Sequence, residues 1–105
     1  MVGVGGCLAP TLPVPPPVAE LSAPDASGMV TVKGGVGSAQ GGAQVEIINY
    51  SLYLRDPTSD YGAIRYAAKD GSWSAQVPGR SKDVLYVAQI IQGGERSSDK
   101  ELTVP

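Results

Sequence analysis

The sequence predicts an all-β fold, a sandwich of about seven antiparallel strands preceded by an extended proline-rich N-terminal segment. Three observations carry this expectation. Beyond about residue 18, apolar and polar residues alternate with a period of two, the pattern of half-buried strands. Clusters of Gly, Pro, Asn, Asp and Ser interrupt the alternation at intervals of roughly 8–12 residues, as in a sandwich. No window shows helical periodicity with start and stop signals. The chain of 105 residues therefore divides into a tether over 1–17 and one domain over 18–105.

The strands follow in order. Val18-Ala19-Glu20-Leu21 reads as a short first edge strand, ended by Pro24. Met29-Val30-Thr31-Val32-Lys33 sets Val30 and Val32 on one face, and Gly34, Gly35 and Gly37 then break it. In Ala43 to Asn49 the buried set is Ala43, Val45 and Ile47, with Gln44 and Glu46 outside. Ile64 to Ala68 continues the pattern less cleanly. Asp70-Gly71 follows, a dipeptide that predicts a type I′ hairpin turn into Trp73, Ala75 and Val77. The run Val84 to Ile91 is apolar on both faces and reads as a central strand, and Leu102 and Val104 close the domain.

Composition removes several function classes. With no His and one Cys, the chain by itself cannot form a Ser-His-Asp triad, a Cys-His pair or the usual structural zinc sets. An internal disulfide is equally impossible. The eight Lys and Arg are scattered and the net charge is −2, which argues against nucleic acid as a partner. No apolar run approaches the roughly 18 residues of a membrane helix. A carboxylate pair is the remaining catalytic option, but Asp25, Asp70, Asp83 and Asp99 all read as turn residues. The expectation is a protein that is not an enzyme and needs no cofactor.

Pro10, Pro13, Pro15, Pro16 and Pro17 favour polyproline II and a semi-rigid spacer. Ahead of them, Val4-Gly5-Gly6-Cys7 resembles the lipobox of bacterial lipoproteins, which implies lipidation of Cys7 and membrane attachment at the cell surface or outer membrane. Only six residues precede Cys7, fewer than a secretory h-region needs, so either the start is truncated or Cys7 is an ordinary free thiol.

In the domain itself, Gly28-Met29-Val30-Thr31-Val32-Lys33-Gly34, Gly42-Ala43-Gln44-Val45-Glu46-Ile47, Asp70-Gly71-Ser72-Trp73, Asp83-Val84-Leu85-Tyr86-Val87, Arg96-Ser97 and Leu102-Thr103-Val104-Pro105 occur in that order. The set resembles bacterial immunoglobulin-like (Big-type) domains over about Val18 to Pro105. Trp73 stands where Phe is commoner, and Lys82 where the pattern has Gly before Asp83. The resemblance implies an immunoglobulin-like sandwich and a structural or adhesion role at the cell surface, with a protein partner or copies of itself. Transthyretin-like regulatory domains of carboxypeptidases are a second match in pattern. A fibre or surface-array subunit bridged by its N-terminal tail, and a carbohydrate- or calcium-binding sandwich, are the alternative functions.

The candidate binding residues are Tyr50, Tyr53, Arg55 and Tyr61, in a segment that also holds Tyr66. Tyr and Arg give large contact area at low entropic cost. Tyr66 and Tyr61 have a plainer reading, as aromatics packed on the sheet. Asp56 and Asp60 are the calcium candidates, since loop carboxylates suit that ion, although Asp56-Pro57 equally reads as a solvated turn.

Overall fold

A computed structural model of the chain describes residues 13–105. Cys7, Pro10 and the lipobox-like stretch lie outside the described residues. Seven strands are present among those described: β1 (Glu20–Leu21), β2 (Met29–Gly34), β3 (Gln44–Asn49), β4 (Gly62–Tyr66), β5 (Trp73–Pro78), β6 (Val84–Ile90) and β7 (Lys100–Thr103). One helix, α1 (Tyr50–Arg55), joins β3 to the β4 segment. The strands form two antiparallel sheets, one ordered β1-β2-β5 and the other β4-β3-β6-β7.

Alternation explains how the sheets meet. Val30 and Val32 of β2, and Trp73, Ala75 and Val77 of β5, point inward from the first sheet. Val45 and Ile47 of β3, with Leu85 and Val87 of β6, point inward from the second, and both sets join one core. Each such Val, Ile or Leu contributes roughly 1.5–3 kcal/mol by leaving water. Every strand expected from the sequence is found, and β6 is central, between β3 and β7.

Two expectations need correction. Asp70-Gly71 is not a hairpin turn, because β4 pairs with β3 in one sheet and β5 with β2 in the other. A type I′ turn needs positive φ at both central residues, and only Gly71 has it. Instead Asp70 Oδ1 accepts hydrogen bonds from the Ser72 amide at 2.9 Å and its hydroxyl at 2.6 Å, and the chain crosses between sheets. Backbone bonds from the Gly37 amide to Asp70 O and from the Ala39 amide to Gly71 O hold the crossing in place.

The second correction is α1, in a chain where no window shows helical periodicity. Six residues are too few to display a helical period, and their local signal is the cap: Asn49 Oδ1 accepts from the Leu52 amide at 3.0 Å.

The described part of the proline-rich stretch lies against the domain. Pro17 is fully buried, the Gln89 amide nitrogen donates to Pro15 O at 2.9 Å, and Ser38 Oγ donates to Val18 O. Lys82, with φ of 73°, is the one non-glycine residue of positive φ among those described.

Candidate functional site

The predicted binding residues converge where β3 runs into α1, and a buried polar network holds them there. Asn49 ends β3 with its side chain fully buried. While Oδ1 caps α1, Nδ2 donates to Pro78 O and to Asp83 Oδ2, both at 2.9 Å. Asp83, 4% exposed, also accepts two bonds from Arg55, at 2.7 and 3.0 Å, and one from the Arg80 amide at 2.9 Å. A carboxylate with this many donors favours its charged form, so the Arg55 guanidinium, helped by Asn49, holds Asp83 well below the usual carboxylate range. Ser51 Oγ accepts from the Val84 amide at 2.9 Å. The short helix is thus fastened to β5, β6 and the turn before β6 by three of its own or flanking side chains.

That fastening sets the tyrosines. The rings of Tyr50 and Tyr53 stack with centroids 6.2 Å apart; Tyr50 meets Tyr86 edge-on at 5.7 Å, and Tyr53 meets Tyr61 edge-on at 5.0 Å. Such pairs are favoured by the ring quadrupole. Tyr50 and Tyr53 nevertheless remain 43% and 41% exposed. The cluster borders a broader surface, the outer face of the four-stranded sheet. There Ile48 of β3 and Ile64 of β4 lie beside Glu46 along a shallow groove of 430 Å³. A second depression, of 250 Å³, is lined by Glu46, Ile48, Tyr50, Tyr86, Arg96 and Asp99. Arg96 reaches Glu46 at 3.1 Å and Asp99 at 3.2 Å, and the Tyr86 hydroxyl donates to Glu101 at 3.3 Å. The negative charge of Glu101 raises the Tyr86 phenol above its ordinary value.

The four predicted residues therefore have two roles. Tyr50, Tyr53 and Tyr61 come together as one aromatic patch, whereas Arg55 faces Asp83 and serves as an anchor. Tyr66 stands apart on β4, 70% exposed, its hydroxyl 3.5 Å from Gln44 Oε1. Asp56 is occupied locally: its Oδ1 accepts from the Thr58 amide and hydroxyl at 3.1 and 2.6 Å, which lowers its pKa. Among the described residues no three acidic, Cys or His side chains group as metal ligands, Asp56 and Asp60 included.

Sequence reasoning missed Tyr86, Ile48, Glu46 and Arg96. They lie on β3, on β6 and beside the edge of the sheet; the pairing Ile48↔Tyr86 and the bridge from Arg96 to Ile90 bring them to one face. Asp83, expected to be a turn residue, does close the turn from Arg80 and is also the buried acceptor of the network. Compared with known proteins, the chain matches no family model and no curated sequence.

Proposed function

We propose that the chain is a non-enzymatic binding module, an immunoglobulin-like sandwich that presents the outer face of its four-stranded sheet to a protein partner at the bacterial cell surface. The observation that carries this reading is the exposed aromatic and aliphatic surface of Tyr50, Tyr53 and Ile64, joined through Ile48. Contiguous apolar patches of this kind, rimmed by charge, mark contact sites on soluble domains. A strand order with β3 and β6 central in one sheet, and β2 and β5 paired in the other, supports the immunoglobulin-like arrangement. Attachment through a lipidated Cys7 belongs to the same proposal.

Labelled domain titrated onto intact cells of its native host tests the surface. Saturable binding is expected, weakened about tenfold or more when Tyr50 and Tyr53 are both replaced by Ser, as for paired aromatic hot spots. The double replacement Thr31→Lys and Gln76→Lys, on the other sheet, leaves binding unchanged. Non-saturable binding, or equal loss in both double variants, refutes the reading. Attachment is checked separately by the mass of Cys7 in membrane fractions; an unmodified cysteine in the soluble fraction refutes that part.

A further inference from the structure

The strand β4 is the outer strand of its sheet, and its free side has features that the other edges lack. The Asn49 amide donates to Tyr61 O at 2.7 Å and the Ala67 amide to Ala43 O at 2.9 Å. These bonds bracket β4, and antiparallel bonding alternates along a strand. Residues 61, 63, 65 and 67 thus bond to β3, and Gly62, Ile64 and Tyr66 direct their N–H and C=O groups away from the sheet.

Edge strands with open backbone groups are templates for pairing unless they are short, charged or interrupted by proline. Of the other edges, β1 has two residues, β7 carries Lys100 and Glu101, and β5 presents Ser74 and Gln76 and ends at Pro78. In contrast β4 is five residues long, has no proline, and exposes Ile64 by 52% and Tyr66 by 70%. Its single charge, Arg65, folds back so that Nη1 donates to Ile64 O at 2.7 Å. That contact covers one of the outward carbonyls.

We infer that β4 pairs with β4 of a second copy, antiparallel and two-fold symmetric about Ile64, with Arg65 as the residue that holds the pairing weak. The sequence of the strand fits itself in this register. Ile64 faces Ile64, and each Tyr66 lies across from the other copy's Gly62. A bare glycine opposite an aromatic ring is a favoured cross-strand pair, since the ring covers the backbone that glycine leaves open. All three outward-directed residues then exchange both of their backbone bonds. Arg65 faces Ala63 and comes diagonal to the other copy's Arg65, a like-charge contact that salt screens. Pairing joins two four-stranded sheets into one and places two aromatic patches on a continuous face. The inference rests on the edge alone and does not depend on the partner proposed above.

Sedimentation equilibrium of the full chain from about 10 µM to about 1 mM covers the affinities that so small an interface permits. A reversible dimer is expected for the wild type. Ile64→Pro removes only the outward N–H, leaves the bonds to β3 in place, and weakens the dimer about tenfold or more. Ile64→Lys does the same through side-chain charge and guards against misfolding of the proline variant. Arg65→Ala tightens the dimer about threefold or more, and added salt tightens the wild type but not this variant. A wild type that is monomeric throughout overturns the inference, as does a dimer that both Ile64 variants leave intact.

Discussion

On the three-stranded sheet the outward positions of β2 and β5 are Met29, Thr31, Lys33, Ser74, Gln76 and Pro78, mostly polar, whereas on the four-stranded sheet Ile48, Ile64, Tyr66 and Tyr86 stand outward among Gln44, Glu46 and Glu101. Both sheets fill the same core from their inner faces. The first therefore follows the usual division of an antiparallel sheet, apolar inside and solvated outside. The second keeps apolar residues on both sides, and Ile64 and Tyr66 of the outer set stay largely exposed. Exposed apolar area is unfavourable by roughly 25 cal/mol per Å² relative to burial. A face that retains it next to a fastened aromatic cluster suits contact, and this difference between the sheets is the reason the proposed contact is assigned to one side of the molecule.

The largest expected effect is at the anchor that gives the four-stranded face its aromatic border. Asp83→Ala removes a buried carboxylate and leaves Asn49 Nδ2 and the Arg55 guanidinium each short of an acceptor. A loss of about 3 kcal/mol is expected in chemical denaturation, at the lower end for a broken buried pair because Arg55 is part-exposed. If Asp83→Ala costs no more than a surface change, α1 is not held as described.

The same carboxylate sets an acid dependence. Its folded pKa lies below the unfolded value, near ~3.9, so its contribution is full above that value and is lost as the pH falls toward the folded one. Melting temperature should decline as the pH drops below about 4, and Asp83→Asn should flatten that part of the profile. An unchanged profile in the variant would show that other carboxylates dominate.

A smaller effect, of opposite sign, is expected one residue earlier. Lys82 occupies the left-handed region with φ of 73°, where glycine is free of strain. Lys82→Gly should stabilise by up to about 1 kcal/mol, less the entropy that glycine regains in the unfolded chain. Denaturant midpoints measure it directly. A clear destabilisation would mean that the Lys82 side chain contributes more than its backbone strain costs.

The smallest effect is expected on the solvated face. Thr31→Ala and Gln76→Ala break only a 3.4 Å contact between exposed side chains and should each stay within about 0.5 kcal/mol of wild type. A larger change would blur the contrast between the two sheets.

Much of the fold was legible in the sequence because alternation is a local signal. Val30 with Val32, Val45 with Ile47, and Trp73 with Ala75 and Val77 each declare a buried face within five residues. What could not be read locally was the partner of each strand. Asp70-Gly71 carries the composition of a hairpin, yet the negative φ of Asp70 and the bonds to the Gly37–Ala39 loop turn the chain into the other sheet. The site was legible in part for the same reason. Tyr50, Tyr53 and Tyr61 are close in sequence and meet on α1 and the segment after it. Tyr86 reaches the patch only through pairing with β3, and Arg96 through its bridge to Ile90 on β6. The bond from Arg55 to Asp83 spans 28 residues, so no spacing rule distinguishes that aspartate from the others in turns.

The claim that one sheet face, and not the other, meets a partner is tested most directly by site-specific photo-crosslinking in native cells. A photoreactive phenylalanine derivative replaces Tyr50 or Tyr86 on one face, and Thr31 or Gln76 on the other, one position at a time. Adducts to a protein other than this chain from positions 50 and 86, with none from 31 and 76, are the predicted result. Adducts from 31 and 76 with none from 50 and 86 would contradict the account, as would equal yields from both faces.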